Sequence, residues 1–335
     1  MADPLPPTGA QYVLANERVR AEIGSVAAVL RALSVDGAEV TERTPEHRMP
    51  AQGRGIVLAP WPNRVRGARW TWNEQEQLLD VTDPSYGAAS HGLLRNTAYR
   101  LLDRDDTSVT LGAFIPPQHG WPFSLHTRVR YALDDDGITV THAVENLTVG
   151  PAVWAVGAHP YLRVGSSPIE RLRLTVPAAV RLTLDDTLTP VGTEEIQDTD
   201  ADLSDGRTVE TLDLNHPYGG IDRGPSGELA WLDSDDGSRT TLWGDEDFRW
   251  VQVYTPRDHP REDGTGLAVA VEPMTAPPDA LHSGVDLIHL PEGGSWQGSW
   301  GIRYAPGDSG RHGDSGQHRD SGQHGDSGRQ EGESA

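Results

Sequence analysis

One histidine in the middle of the chain stands where a proton could be exchanged. The apolar residues 152–156 predict a buried strand, Gly157 and Ala158 predict a tight turn, and His159 follows them. Pro160 restricts the backbone directly behind the imidazole. Because imidazole changes its charge near neutral pH, a histidine fixed at a strand end could act as an acid or a base. The same pattern fits a core histidine bonded to backbone groups, and His159 alone does not decide between these interpretations.

A glutamate near the end of the chain stands in a similar position. Residues 266–271 predict an apolar strand, Glu272 closes it, and the proline-rich residues 273–280 follow. A carboxyl group among apolar neighbours is expected to have a raised pKa and can serve as a base. Glu272 is therefore the second candidate for proton transfer.

The loop within residues 55–67 gathers side chains that could bind a hydroxyl-rich ligand, namely Trp61, Asn63, Arg64 and Arg66. An indole can stack on the face of a sugar ring, and an arginine can donate to two hydroxyl oxygens at once. The alternative is that Trp61 fills the core and that the arginines, Arg66 above all, lie in solvent.

A second histidine occurs in the loop formed by residues 90–96. His91 is followed by Gly92, which permits an unusual backbone angle or the close approach of a ligand. Because surface histidines are common, this motif indicates a site only in combination with the others.

These side chains must be held by strands, because short alternating segments and turn residues recur throughout the chain. Residues 11–35 predict antiparallel hairpins, residues 185–206 a long polar loop, and residues 212–223 an irregular stretch. Further strands are predicted at residues 109–114, 123–133, 138–144, 172–176, 180–184, 229–232, 238–243, 249–255 and 296–304. The expected fold class is all-β.

The sequence divides into three parts. Residues 1–10 are predicted to be a flexible N-terminus, and residues 11–305 a single folded domain. Residues 306–335 repeat Asp-Ser-Gly with a period of six, at Asp308, Asp314, Asp320 and Asp326. This segment is predicted to be disordered because it has too few apolar residues to form a core.

Composition and missing motifs exclude several functions. The net charge of -22 disfavours nucleic acid and anionic membranes as partners, and the absence of cysteine excludes disulfides and thiolate metal sites. No apolar run is long enough to cross a membrane and no signal peptide is apparent, so the cytoplasm is the expected location. Glycine-rich phosphate loops, the Gly-x-Ser-x-Gly motif and closely spaced metal ligands are also missing.

Four ordered motifs resemble those of the aldose 1-epimerase (galactose mutarotase) family. They are Ala-Pro-Trp-Pro-Asn-Arg-Val-Arg at residues 59–66, His-Gly-Leu-Leu-Arg at 91–95, Gly-Ala-His-Pro-Tyr at 157–161, and the segment 271–280. The resemblance spans about residues 11–304. It implies a large antiparallel β-sandwich of the galactose mutarotase-like supersandwich type, with a sugar cleft on one face.

The resemblance also implies the reaction, which is acid–base ring opening that interconverts the α and β anomers of a free hexose such as galactose or glucose. Glu272 matches the base and His159 the acid, and the nearby carboxylate is expected to favour the protonated imidazole. The implied partner is a small sugar, with no cofactor and no metal. The predicted substrate-binding residues are Arg64, His91, Asn215, Asn63, Trp61 and Tyr161.

One position departs from the family pattern. Asn215 stands where the family usually has an aspartate that binds sugar hydroxyls, although Asp213 could take that role after a shift in register. Two other functions therefore stay open, a hexose-6-phosphate 1-epimerase and a non-catalytic sugar-binding protein of the same fold. A phosphate would need additional arginines, for which Arg66, Arg95 and Arg163 are candidates. The oligomeric state and the role of the tail are left open by the sequence.

Overall fold

The computed structural model describes residues 5–261 and 264–307, and strands dominate this part of the chain. The first strands are β1 Gln11–Ala15, β2 Val19–Gly24, β3 Leu30–Val35, β4 Ala38–Glu39, β5 Val57–Leu58, β6 Arg64–Val65, β7 Arg69–Trp72, β8 Gln75–Leu78, β9 Ala89–Ser90, β10 Arg100–Arg104, β11 Ser108–Ile115, β12 Leu125–Leu133, β13 Gly137–Asn146 and β14 Ala152–Trp154. The chain continues with β15 Gly157–Ala158, β16 Arg173–Val176, β17 Ala178–Leu184, β18 Pro190–Glu195, β19 Leu203–Thr208, β20 Asn215–Ile221, β21 Glu228–Asp233, β22 Arg239–Gly244, β23 Trp250–Tyr254, β24 His259–Arg261, β25 Gly264–Gly266, β26 Ala270–Met274, β27 Ile288–Leu290 and β28 Ser295–Ala305.

Helical structure is confined to short segments. The α-helix α1 covers Ala280–Ser283, and single 3-10 turns lie at Ala51–Gly53, Arg66–Ala68, Ile169–Arg171 and Val209–Thr211. In the described residues, no helix has the length and hydrophobicity needed to cross a membrane.

The larger sheets are antiparallel throughout and form a β-sandwich. One sheet has nine strands in the order β10-β11-β12-β13-β28-β22-β21-β16-β19, and another has seven in the order β18-β17-β20-β23-β26-β15-β5. A four-stranded sheet β1-β2-β3-β4 and four two-stranded ribbons complete the arrangement. The prediction of an all-β fold built as a large antiparallel β-sandwich is confirmed.

One continuous hydrophobic core joins these sheets. Leu14 of β1, Val140 of β13 and Val251 of β23 are fully buried in the same cluster. Large aromatic side chains fill one part of this core, where the Trp70 ring lies 5.9 Å from that of Trp121. Each fully buried aromatic side chain contributes on the order of 2–3 kcal/mol through the burial of apolar surface, so this core can hold the exposed loops in fixed positions.

The structure differs from the sequence prediction in the polar segments. Residues 185–206 were expected to form a loop but contain β18 and the first part of β19, while residues 212–223 contain β20. β18 is an edge strand of the seven-stranded sheet and β19 is an edge strand of the nine-stranded sheet. Most residues of β18 are exposed. An edge strand is held by backbone hydrogen bonds to one neighbour, so it needs no alternation of apolar residues.

The packed chain also extends beyond the predicted domain boundaries. Thr8 is fully buried and its carbonyl oxygen accepts a hydrogen bond from the backbone N–H of Val26, so the predicted flexible segment 1–10 is wrong at this residue. At the other end, the backbone N–H of Gly307 donates to the hydroxyl of Ser238 at 2.9 Å. Residues 1–4 and the repeats that start at Asp308 lie outside the described residues.

Candidate functional site

A polar cleft of about 400 Å³ opens over the seven-stranded sheet. Its walls come from that sheet and from the loops of residues 50–53, 82–86 and 90–95. The lining residues are Pro50, Gln52, Gly53, Asn63, Arg64, Thr82, Asp83, Tyr86, Ser90, His91, Arg95, His159, Asn215, Tyr254 and Glu272. The fold therefore brings together side chains that lie more than 200 residues apart in the sequence.

The predicted acid and base meet inside this cleft. β15 and β26 are adjacent, with Gly157 paired to Met274, so His159 directly after β15 lies beside Glu272 in β26. His159 Nε2 is 3.3 Å from Glu272 Oε1, and both side chains are almost completely buried. In the described part of the chain, His159 Nδ1 and Glu272 Oε2 have no hydrogen-bond partner. Buried polar atoms without partners are uncommon in native proteins, and here they lie where a ligand could bind.

Other aromatic rings fix the orientation of the His159 imidazole. The Tyr161 ring stacks on it at 5.2 Å with an interplanar angle of 13°, and the His91 ring meets it edge-on at 5.4 Å. Gly53 also packs against this ring, because a Cβ atom at that position would lie 2.9 Å from His159 Cδ2. The ring therefore has little freedom to rotate away from Glu272.

Burial shifts the pKa values of both members of this pair. It lowers the pKa of His159 to about 3 and raises the pKa of Glu272 well above its usual value, although Arg64 opposes the second shift. Both shifts favour the uncharged forms, because a buried charge loses hydration. These directions run against the expectation that Glu272 would favour a protonated imidazole.

The lowered pKa predicts that the His159 imidazole is still neutral at about pH 5, where an ordinary histidine is mostly protonated. Nitrogen-15 NMR of the histidine side chains, with His159→Asn to assign the signal, would measure this state. A titration midpoint near the ordinary value of about 6.5 would contradict the prediction.

The loop around Arg64 forms one wall of the cleft. Arg64 Nε donates to Asp83 Oδ2 at 2.9 Å, and the guanidinium lies 4.7 Å from the centre of the Tyr86 ring. β6 pairs with β9, which places Ser90 opposite Arg64 and holds the next residue, His91, against the cleft. Burial lowers the pKa of His91 well below its usual value, so this imidazole is also neutral.

Gly92 has the unusual backbone angle that was expected, but it is approached by the main chain and not by a ligand. Its φ of +76° lies in the left-handed region, and the residue packs against the main chain of Ala59. A Cβ atom at this position would lie 2.0 Å from the Ala59 carbonyl oxygen. The close approach is therefore made by the protein backbone and holds the two loops of the cleft together.

Three amide side chains are joined by hydrogen bonds at the floor of the cleft, where Asn63 and Asn215 line it and Gln252 lies beneath them. The backbone N–H of Arg64 donates to Asn63 Oδ1 at 2.9 Å, and Asn63 Nδ2 donates to Gln252 Oε1 at 3.2 Å. Gln252 Nε2 in turn donates to Asn215 Oδ1 at 2.8 Å. Asp213 is exposed and lies outside the cleft lining, so Asn215 occupies the position that the sequence left open between them.

Two predicted binding residues lie elsewhere. Trp61 is only 2 % exposed and packs 5.6 Å from Trp121 in the core, so the prediction that it stacks on a ligand is wrong and the core alternative is correct. Tyr161 is fully buried behind His159, and its hydroxyl donates to the carbonyl oxygen of Gln52. Tyr161 therefore supports the imidazole and does not line the cleft.

Among the three arginines considered for a phosphate, only Arg95 lines the cleft. Arg66 lies near Asp279 in a separate cavity, and Arg163 is bonded to Glu42 at 2.9 Å. The cleft thus contains two arginines, Arg64 and Arg95.

Several lining residues were missed by the sequence prediction, namely Gln52, Asp83, Tyr86 and Tyr254, together with Gln252 beneath them. Gln252 had the clearest signal, because it is a polar residue at the centre of the apolar strand β23. The others stand in turn-rich segments or at strand ends, where nothing in the local pattern sets them apart.

In residues 5–261 and 264–307, no three histidine, aspartate or glutamate side chains are arranged to hold a metal ion. His91, His159 and Glu272 do converge in the cleft, yet they do not form such a group.

Comparison with known proteins gives consistent matches. The chain is 30% identical over 287 residues to the uncharacterized protein YihR of Escherichia coli K12, covering 85% of this chain and 90% of that protein. A homologue of GalM/aldose epimerase from C. elegans superimposes with a TM-score of 0.78 at 15% identity, covering 89% and 100% of the two chains. A galactose 1-epimerase from Lactobacillus acidophilus gives 0.73 at 17% identity, covering 89% and 94%.

The solved structures are too distant in sequence to show more than the fold. The family assignment rests on the sequence. The family model of the aldose 1-epimerases matches residues 10–303, which is nearly the whole described chain. The chain belongs to the aldose 1-epimerase family.

Proposed function

We propose that this protein is a mutarotase that interconverts the α and β anomers of a free hexose, galactose or glucose. The observation that supports this most directly is the buried contact of 3.3 Å between His159 Nε2 and Glu272 Oε1 inside a cleft of about 400 Å³. Ring opening requires proton transfer at the C1 hydroxyl and at the ring oxygen. Both oxygens are bonded to the same carbon, so an acid and a base that are immediate neighbours can serve them together.

In the proposed mechanism, Glu272 removes the proton from the C1 hydroxyl while His159 protonates the ring oxygen. The ring opens to an aldehyde, C1 rotates about its bond to C2, and closure from the other face gives the second anomer. The two residues exchange roles on closure. Glu272 Oε2 has no hydrogen-bond partner within the described residues and is available for the C1 hydroxyl.

Burial favours a neutral pair in which the proton is located on Glu272. Catalysis requires that proton on His159, a rearrangement that conserves the number of protons and the net charge. A bound sugar presents hydroxyl groups that can donate to the carboxylate, and these hydrogen bonds replace the hydration that burial removes. Substrate binding itself would therefore prepare the reactive ion pair.

The remaining polar groups suit a neutral, hydroxyl-rich ligand. Arg64 is held by Asp83 and Tyr86 and lines the cleft, while the neutral His91 can donate or accept. We expect these side chains to hold the sugar oxygens while the bond at C1 is broken and formed.

Polarimetry of freshly dissolved sugar tests this proposal. With α-galactose and α-glucose, the first-order rate of anomer conversion should exceed the buffer rate and increase linearly with protein concentration. Other aldoses define the preference. A rate equal to that of buffer for every sugar, in a protein that NMR shows to bind one of them, would instead identify a non-catalytic sugar-binding protein.

Arg95 supports a second candidate, a 1-epimerase of phosphorylated hexoses. It lines the cleft close to Arg64, and two guanidinium groups could engage one phosphate. However, Arg64 is already paired with Asp83, which lowers the positive charge available. Glucose 6-phosphate and galactose should therefore be compared directly, and a higher kcat/KM for the phosphate would favour this candidate.

A further inference from the structure

The amide side chains of Asn63, Gln252 and Asn215 form a chain of hydrogen bonds whose direction is fixed at one end. The backbone N–H of Arg64 can only donate, so it requires Asn63 to present Oδ1. Asn63 must then present Nδ2 to Gln252, which accepts through Oε1 at 3.2 Å. Gln252 is left with Nε2 for Asn215, which accepts through Oδ1 at 2.8 Å.

Reversal of any amide in this chain would place two donors or two acceptors face to face. Asn63 and Gln252 are only 4 % and 2 % exposed, so water cannot easily replace a lost partner. A buried polar group without a partner costs on the order of 1–3 kcal/mol, and a reversal leaves more than one such group, so the observed direction is strongly favoured. The direction set by one backbone N–H is therefore transmitted across two buried side chains.

Asn215 is the last member of the chain and lies in the cleft wall. Its Oδ1 accepts from Gln252 Nε2, which uses one of the two lone pairs of that oxygen and fixes the orientation of the amide. Within the part of the chain that the structure describes, no acceptor is bonded to Asn215 Nδ2. At this point the hydrogen-bonding groups that Asn215 offers a ligand are therefore chiefly the two N–H donors of Nδ2.

We propose that Asn215 determines substrate specificity as a hydrogen-bond donor, and that Gln252 is the positioning residue that fixes the orientation of its amide. The preferred substrate is then an aldose whose substituent at the contacted ring position accepts a hydrogen bond and need not donate one. An aspartate at this position would impose the opposite requirement, because an ionised carboxylate only accepts. The inference rests on the proposed mutarotase function and concerns one subsite of the same cleft.

Gln252 has this positioning role because it touches the cleft residues on both sides. In the register of β23 and β26 it lies opposite Glu272, and its amide bonds to Asn63 and Asn215. Loss of the Gln252 amide would leave Asn215 free to rotate and to present either its oxygen or its nitrogen to the ligand.

The test compares hexoses in which one hydroxyl at a time is replaced by fluorine, which accepts weakly but cannot donate. For each position the ratio of kcat/KM for the hydroxyl sugar to kcat/KM for the fluoro sugar is measured in wild type and in Asn215→Asp. This ratio cancels general losses of activity or folding, because both sugars meet the same variant.

At one ring position the ratio should be about tenfold larger in Asn215→Asp than in wild type, since a carboxylate needs the hydroxyl proton and repels fluorine. At the same position Gln252→Met should give an intermediate ratio, although residue 215 is unchanged. An equal or smaller ratio in Asn215→Asp at every position would overturn the donor assignment. A wild-type ratio in Gln252→Met would overturn the positioning role.

The donor assignment can also be tested if the protein proves not to be a mutarotase. If the wild-type protein converts no sugar, the same ratios are taken from dissociation constants for the hydroxyl and fluoro sugars, measured by calorimetry. The ratios of the dissociation constants then decide the donor assignment, independently of catalysis.

Discussion

Replacement of Glu272 by glutamine is expected to lower kcat for anomer conversion by about 10²- to 10⁴-fold, the usual contribution of a positioned acid–base group. The amide has the same shape but cannot remove the proton from the C1 hydroxyl. Because burial raises the pKa of the Glu272 carboxyl and so favours its uncharged form, the neutral glutamine should fold and bind sugar almost as well as wild type. Polarimetry gives the rate, and titration followed by NMR gives the affinity.

Glu76→Gln is the matched control for this variant. It makes the same chemical change in the exposed strand β8, where Glu76 is paired with the exposed Arg69, and it should leave kcat unchanged. If Glu272→Gln retains wild-type kcat, Glu272 is not the base and the proposed mechanism is wrong.

Replacement of Gly92 by alanine is expected to destabilise the fold by at least about 3 kcal/mol, through backbone strain and overpacking. The left-handed φ of +76° disfavours any side chain, and the added Cβ would lie 2.0 Å from the Ala59 carbonyl oxygen. The Ala59 carbonyl also accepts a hydrogen bond from the backbone N–H of Leu94, so the contact cannot open without disturbing the loop that carries His91. Urea unfolding at neutral pH measures the loss.

Gly87→Ala separates the cost of backbone strain from the cost of overpacking. Gly87 has a similar φ of +61°, but a Cβ atom there would have no atom within 4 Å. Its substitution should therefore cost only about 1–2 kcal/mol, the penalty of the left-handed conformation itself. Equal losses in the two variants would show that the contact with Ala59 contributes nothing.

The sequence determined the fold class and the central pair of the site. Alternation of apolar and polar residues is a local property of a strand with one buried face, so β11, β12 and β13 are visible without the structure. His159 and Glu272 could be found because each follows or ends an apolar run, and the family resemblance then linked them. Edge strands such as β18 escaped detection, since backbone pairing alone holds them.

Only the tertiary structure decided which candidates reach the cleft. Trp61, Asn63 and Arg64 are sequence neighbours, yet Trp61 points into the core while the other two line the site. Local sequence cannot distinguish these directions, because they depend on which sheet packs against each side of the loop.

The polarity and protonation of the site also come from the folded chain. The amide direction at Asn215 is imposed by Gln252, which lies 37 residues away in the sequence. The neutral state of His159 follows from burial, which a sequence does not display. Hydrogen bonds and desolvation depend on distances between residues that are remote in the chain, and those distances exist only after the sheets have packed.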